Sequence, residues 1–260
     1  MAITQLSDSV LYRLSCEATL SIFGQAERFE AAMRPDCCAV LSNEPAADWN
    51  VVFAGTGASA TDHFAEIGNS CVLRNLPFMA IIFPQAGLGV ERTAADLGLA
   101  HVVDFPMMVR GEEPVEPRGN ENVVVRRVSR AEGAAANARV LSSAYLVEQE
   151  LVRRVMPDKL TESPSVDTFL ATINDAPVGA VTVTHHGDTS GFWAMGTDSS
   201  KQKCGIGRRL MSTVMSEMRA MGTRQFFLGA TPAGYRLYDS LGYKTRAVTK
   251  VWVSGETHQS

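Results

Sequence analysis

The chain has 260 residues, enough for one large domain or two ordinary ones, and at 45% hydrophobic and 20% charged it has the composition of a water-soluble globular protein. Its longest apolar runs fall far short of a membrane span, and its first residues show neither a basic n-region nor a long apolar core. Five cysteines without a Cys-x-x-Cys argue against a disulfide framework or a zinc knuckle, so a cytoplasmic protein without metal is expected. The net charge of −4 hides an asymmetry: residues 1–120 carry 7 Lys+Arg against 15 Asp+Glu, and residues 121–260 carry 17 against 13. The mildly basic second part suits a small polyanion, and is too weak and too poor in interleaved aromatics for nucleic acid.

Residues 1–36 are expected to be mostly helical, with Leu11, Leu14, Ala18 and Ile22 on one face and Phe29, Ala32 and Met33 on a further segment. Cys37–Leu41 and Asn50–Ala54 read as short strands around a turn-like 42–45, and Cys37 and Cys38 as ordinary buried thiols. Residues 61–73 read as helix. The continuous apolar run 78–83 reads as a buried strand, 91–97 as a short helix stopped by Gly98, and 101–109 as a strand. Residues 110–120 hold two prolines and two glycines among charges and read as a linker. The expected domains are therefore 1–110 and 121–254, joined by 111–120.

The second domain opens with a strand over 122–128. Ser129-Arg130-Ala131-Glu132 is a capping box, which starts a helix running to about Val147. A second helix over 148–156 is halted by Pro157. Strands follow over 169–173, 178–185 and 191–197. The last runs into a basic loop, Gln202-Lys203-Cys204-Gly205-Ile206-Gly207-Arg208-Arg209. There Ile206, Leu210, Val214 and Met218 recur every fourth residue, with Met211 and Met215 beside them, and Gly222 stands where a helix ends. A glycine-bearing loop that opens a helix is an anion site: the first N–H groups lack internal partners and lie at the positive end of the dipole. A diphosphate suits it better than a lone carboxylate. The loop is neither a Walker A sequence nor a dinucleotide fingerprint. The element order supports an α/β class with a mixed sheet.

Gln202-Lys203-Cys204-Gly205-Ile206-Gly207 matches the Gln/Arg-x-x-Gly-x-Gly/Ala signature of the GNAT superfamily of N-acetyltransferases. Leu237-Tyr238-Asp239-Ser240-Leu241-Gly242-Tyr243 resembles that family's second landmark. The resemblance covers about residues 121 to 254. It implies a mixed, mostly antiparallel sheet flanked by helices, and acetyl-CoA as co-substrate with no metal. It also implies transfer of the acetyl group to a primary amine of a small molecule or peptide by direct attack. By resemblance the backbone N–H groups of Lys203, Cys204, Gly205, Ile206, Gly207 and Arg208 hold the pyrophosphate, and Gln202 supports the loop. Met195, Gly196 and Thr197 line the pantetheine, and Tyr238 is the general acid. Thr231, followed by Pro232, departs from the asparagine frequent in the family. The general base stays open among Asp198, His185, His186, Glu148 and Glu150.

One comparison lies inside the chain. Residues 94–99 end a helix before a strand as residues 238–243 do, offset by about 144 residues, which suggests tandem copies. Two unrelated strand–helix–strand units would give the same match. A first copy would be degenerate: no Gln/Arg-x-x-Gly-x-Gly precedes residue 120, Gly55-Thr56-Gly57 lacks basic neighbours, and Ala94 stands where the second copy has Tyr238. A non-catalytic acyl-CoA-binding or interaction module is the alternative function, a nucleotide-binding fold is a third, and a homodimer stays open.

Overall fold

A computed structural model describes residues 6–128 and 131–254. In chain order the elements are α1 (Asp8–Phe23), β1 (Glu30–Met33), β2 (Cys37–Leu41), β3 (Asn50–Ala54), α2 (Ala60–Leu73), β4 (Met79–Ile82), α3 (Leu88–Asp96) and β5 (Leu99–Arg110). They continue with β6 (Val124–Arg127), α4 (Ala131–Tyr145), α5 (Gln149–Val155), β7 (Val166–Ile173), β8 (Ala176–His186) and β9 (Thr189–Thr197). The last are α6 (Ile206–Ala220), β10 (Gln225–Gly229), α7 (Pro232–Ser240) and β11 (Lys244–Ser254). The described residues form two compact units, one of 6–107 with 245–254 and one of Met108–Lys244.

In the first unit β2 lies antiparallel to β1 and β3, β4 runs parallel to β3, and β11 returns antiparallel to β4. β2 and β3 are buried at every residue, as parallel and central strands covered on both faces are, and Phe64, Phe78, Ala80 and Val90 close the core around them. α1 starts where Ser7 Oγ accepts the Val10 N–H, and it buries Leu11, Leu14, Ala18 and Ile22 as their spacing predicts. The helix expected around Phe29, Ala32 and Met33 is instead the edge strand β1. Pairing with β2 decides the conformation there, and Phe29 and Met33 stay exposed. A second correction concerns the cysteines. Cys16 and Cys38 form a disulfide, because packing α1 on β2 brings their Cα atoms to 6.3 Å. Cys37 is a buried thiol, its pKa pushed up to about 12 by desolvation and by the neighbouring Asp36 carboxylate.

In the second unit β7 lies antiparallel to β6 and β8, β8 antiparallel to β9, and β10 parallel to β9. This is the mixed, mostly antiparallel sheet flanked by helices that the landmark residues imply. α6 buries Ile206, Leu210, Met211, Val214, Met215 and Met218 against Phe226, Leu228 and Phe192. Each of these side chains stabilises the unit by about 1.5–3 kcal/mol relative to exposure. The capping box expected at Ser129-Arg130-Ala131-Glu132 begins outside the described residues. Residues 111–120 form no regular element, yet they are hydrogen-bonded along this unit. Arg118 N–H donates to Ser212 Oγ over 2.9 Å, and Asn120 Nδ2 donates to Cys204 O over 3.1 Å. Buried Arg110 donates to the carbonyls of Leu241, Glu113 and Pro114. Proline and glycine exclude helix and ladder here, and carbonyls facing arginine take their place.

A chain ending at Lys244 should strip β4 of its antiparallel partner and remove the Lys250–Glu91 ion pair. Amide hydrogen exchange at Met79–Ile82 is expected to rise at least about tenfold, with little change at residues 169–171 of the other unit.

Candidate active site

β9 and β10 pair only from Thr189 to Phe192, opposite Gln225 to Leu228. β9 continues through Trp193 to Thr197 with no partner on that side among the described residues. It bulges as it does so. Against β8, Ala180 faces Gly196 while Thr182 faces Trp193, so two residues, Ala194 and Met195, stand opposite Val181. Ala194 takes φ 45°, the left-handed conformation such an extra residue can require. Beyond the bulge Asp198 N–H donates to Val178 O over 2.9 Å. Main-chain direction alternates along a strand, so Gly196 and Asp198 turn their groups to β8. Met195 and Thr197 turn theirs into the gap. A crevice at the carboxyl ends of parting parallel strands is where α/β sheets place ligands.

The loop to α6 ends at this gap. Lys203 and Gly205 both have positive φ, 61° and 75°. A Cβ on Gly205 would stand 3.2 Å from the Asn120 nitrogen, so glycine answers to both backbone and space. No side chain caps α6; its first internal bond is Arg209 N–H to Gly205 O, 3.1 Å. The N–H groups of Ile206, Gly207 and Arg208 stand ahead of that bond and have no partner within the helix. Lys203 and Cys204 are exposed, Arg208 half-buried, and Gln202 exposed at the loop's start. A Cβ on Gly207 would lie 2.8 Å from Met195 Cε and 3.2 Å from Leu237 Cδ2, with Thr197 Oγ1 at 3.7 Å. Gly207 is thus where the end of β9, the start of α6 and the middle of α7 meet.

Tyr238, next to Leu237 on α7, is buried. Desolvation pushes its hydroxyl pKa up to about 12. Its ring meets Tyr243 edge to face at 6.1 Å, and Gly234 one turn earlier leaves it room, since a Cβ there would lie 2.7 Å from Tyr238 Cε2. The Thr231-Pro232 departure still yields a capped helix: Thr231 Oγ1 accepts the Gly234 N–H over 3.2 Å, and proline takes the first helical position. One residue at the gap escaped sequence reasoning. The Tyr145 hydroxyl, at the end of α4, donates to Met195 O over 2.8 Å. Nothing in an alanine-rich helix marks its last tyrosine as special.

Of the candidate bases, the two histidines lie elsewhere. Asp198 accepts from the Ser200 hydroxyl at 2.7 Å and the Ser200 N–H at 2.9 Å, and these bonds hold its pKa below the usual carboxylate value. His185 Nε2 lies 2.8 Å from Asp167 Oδ2, and His186 Nε2 lies 3.1 Å from Thr184 Oγ1. They stand opposite Ser190 and Thr189, five residues or more from the Ala180–Gly196 pair, roughly 17 Å at ~3.3 Å per residue. Glu148 precedes α5 and Glu150 faces Arg153 at 3.9 Å, both exposed. Among the described residues no cluster of three or more His, Cys, Asp or Glu could hold a metal, and no helix is long and apolar enough to cross a membrane.

The parallel pair of the first unit looks different. β3 and β4 pair to their ends, Ala54 opposite Ile82, and Phe83 N–H adds a bond to Ala54 O at 2.9 Å. The Tyr12 ring lies on Gly55, where a Cβ would be 2.7 Å from Tyr12 Cδ2, and edge-on to Phe83 at 5.7 Å. In the loop toward α2, a Cβ on Gly57 would stand 2.3 Å from Asp36 Oδ2, whose other oxygen is 2.6 Å from His63 Nδ1. This unit has a cavity of 390 Å³ between α1 and residues 33–35, lined by Tyr12, Arg13, Cys16, Glu17 and Arg34 among others.

A sequence model of the acetyltransferase (GNAT) domain matches residues 164–245, from the start of β7 to the start of β11. No curated protein sequence matches the chain significantly. Among solved structures, a GCN5-related N-acetyltransferase from Kribbella flavida superposes with TM-score 0.67 at 18% identity, covering 95% of this chain and 96% of that one. One from Sphaerobacter thermophilus gives 0.61 at 14% identity, covering 84% and 80%. A tandem GNAT protein from the clavulanic acid biosynthesis pathway gives 0.58 at 10% identity, covering 86% and 80%. At such identities the likeness is one of fold, and the fold is that of the GNAT superfamily of acetyltransferases.

Proposed function

We propose that the Met108–Lys244 unit is an acetyl-CoA-dependent N-acetyltransferase that passes the acetyl group to a primary amine, of a small molecule or a peptide, within a ternary complex. The observation that carries this reading is the gap beside Met195–Thr197, which opens directly onto the unfilled N–H groups of α6. A thioester on a long amide-bearing arm with a diphosphate at its other end matches both parts. The N–H groups of Lys203, Cys204, Gly205, Ile206, Gly207 and Arg208 take the diphosphate at the positive end of the helix dipole, with Lys203 and Arg208 adding charge. Gln202 supports the loop. Thr197 offers its main-chain groups to the pantetheine amides, as a missing strand would receive them, Met195 faces the thioester itself, and Gly196 lets α4 close on the strand.

The amine nitrogen attacks the thioester carbon, and the carbonyl oxygen gains charge near the Met195 N–H. The C–S bond then breaks, and the thiolate takes the phenolic proton of Tyr238. A phenol with its pKa near 12 is protonated at any physiological pH and is available as that acid. The proton that the attacking nitrogen sheds passes to solvent water, and the Tyr238 phenolate left by the transfer recovers a proton from solvent.

We read the first unit as a degenerate GNAT-like copy without chemistry. In sequence the copies run 1–110 and 121–254 with 111–120 between them, and the last strand of the second completes the sheet of the first. Both show two antiparallel pairings and then a parallel one, β1 to β4 as β7 to β10. Both follow with a nine-residue helix and a glycine at positive φ, Gly98 at 82° and Gly242 at 88°. The tandem protein among the similar structures supports the same reading. The closed β3–β4 pair and the Asp36 carboxylate argue against a thioester and a diphosphate at the matching place in this copy. The alternative function, a module that binds acyl-CoA without turnover, is separated by an assay of free thiol release with a panel of amines.

Gly205→Ala places a Cβ in the left-handed region at a cost of about 1–2 kcal/mol. We expect a lower Tm and a Kd for coenzyme A raised about tenfold in calorimetry, with wild type preferring coenzyme A to ATP or NAD. Tyr238→Phe is expected to lower kcat about 10–100-fold with KM for acetyl-CoA within about twofold. Since Tyr238 loses its proton only near pH 12, kcat/KM should rise as the amine deprotonates and show no alkaline fall below about pH 11.

A further inference from the structure

Met195 is the residue on which the bulge of β9 turns, and its carbonyl has a partner from outside the sheet. Tyr145 reaches it with a 2.8 Å hydrogen bond from the last residue of α4. The contact is built, because α4 ends directly on the strand. A Cβ on Gly196 would stand 2.7 Å from Ala144 Cβ, 3.4 Å from Leu141 Cδ2 and 3.6 Å from Tyr145 Cε2. Glycine at 196 is what lets the last turn of α4 come this close.

The two main-chain groups of one extended residue project to the same edge, as the paired exchange in an antiparallel ladder requires. The Met195 carbonyl that Tyr145 holds therefore shares its edge with the Met195 N–H. That edge faces the gap. A bulged residue has lost the ladder partners that would set its direction, and here the preceding Ala194 sits at φ 45°. One hydrogen bond from a helix replaces them.

We propose that Tyr145 is a positioning residue for acetyl transfer: its hydroxyl fixes the Met195 main chain so that the Met195 N–H meets the thioester oxygen. The inference rests on the acetyl-transfer reading of the same site. A donor aimed before reaction needs no reorganisation when the oxygen gains charge, and that is the source of its effect on rate.

Tyr145→Phe removes only the hydroxyl, on a residue that is 46% exposed. The expected result is a kcat lowered about tenfold, with KM for acetyl-CoA and Kd for coenzyme A within about twofold. The infrared carbonyl stretch of carbon-13-labelled acetyl-CoA gives a second reading. It should move to lower frequency on binding to wild type, and lose much of that shift in the variant. An unchanged kcat with an unchanged carbonyl frequency overturns the proposal. So does tighter acetyl-CoA binding at unchanged kcat, since the phenol would then merely cover the edge that the thioester takes. A wild-type frequency equal to that of free acetyl-CoA overturns it without any variant. If wild type acetylates no amine but Tyr145→Phe abolishes a real carbonyl shift, the positioning role stands and the acetyltransferase reading falls.

Discussion

Everything at this site depends on β9 being unable to follow β10. The two parallel strands hold together for four residues, and then the bulge at Ala194 and Met195 bends β9 away. A sheet does not give up ladder bonds without compensation, because each buried N–H or C=O left unpaired costs free energy. Tyr145 satisfies the Met195 carbonyl. The opening is thus a built feature of the strand, with glycines placed where helices approach: Gly196 under α4, Gly207 against Met195 and Leu237.

The contrast between the two parallel pairs makes the point from within one chain. β3 and β4 share the directions and connection of β9 and β10, with a helix between them. Yet they pair to the end and gain one more bond from Phe83. An aromatic ring fills the space above them, and a carboxylate sits where the other unit offers open N–H groups. The same topology therefore carries a crevice in one case and a closed seam in the other. The difference lies in a single bulge and in the sign of the charge at a loop. Fold alone does not decide chemistry; the site does.

Burial also sorts the titratable groups at the second site. Tyr238 is kept neutral by desolvation. Asp198 is spent on its own turn. The histidines belong to the other end of β8, where Asp167 and Thr184 engage them. Adjacency along the chain made them candidates, and strand length removed them, since a β-strand carries each residue about 3.3 Å further from the bulge.

Much of this was legible in the residues. The four-residue recurrence from Ile206 to Met218 specified α6 and its buried face, and the glycine-bearing loop before it specified an open helix terminus. Both are local properties of a helix, so local sequence determined them. Glycines at 98, 222 and 242 marked chain reversals for the same reason. What only the tertiary structure decided were relations between distant segments. Pairing with β2 made a strand of 30–33, and packing of α1 on β2 joined Cys16 to Cys38. The return of β11 to β4 placed the last strand in the first unit. Tyr145 met Met195 across 50 residues. No periodicity encodes such contacts, because each depends on which surfaces the whole chain buries together.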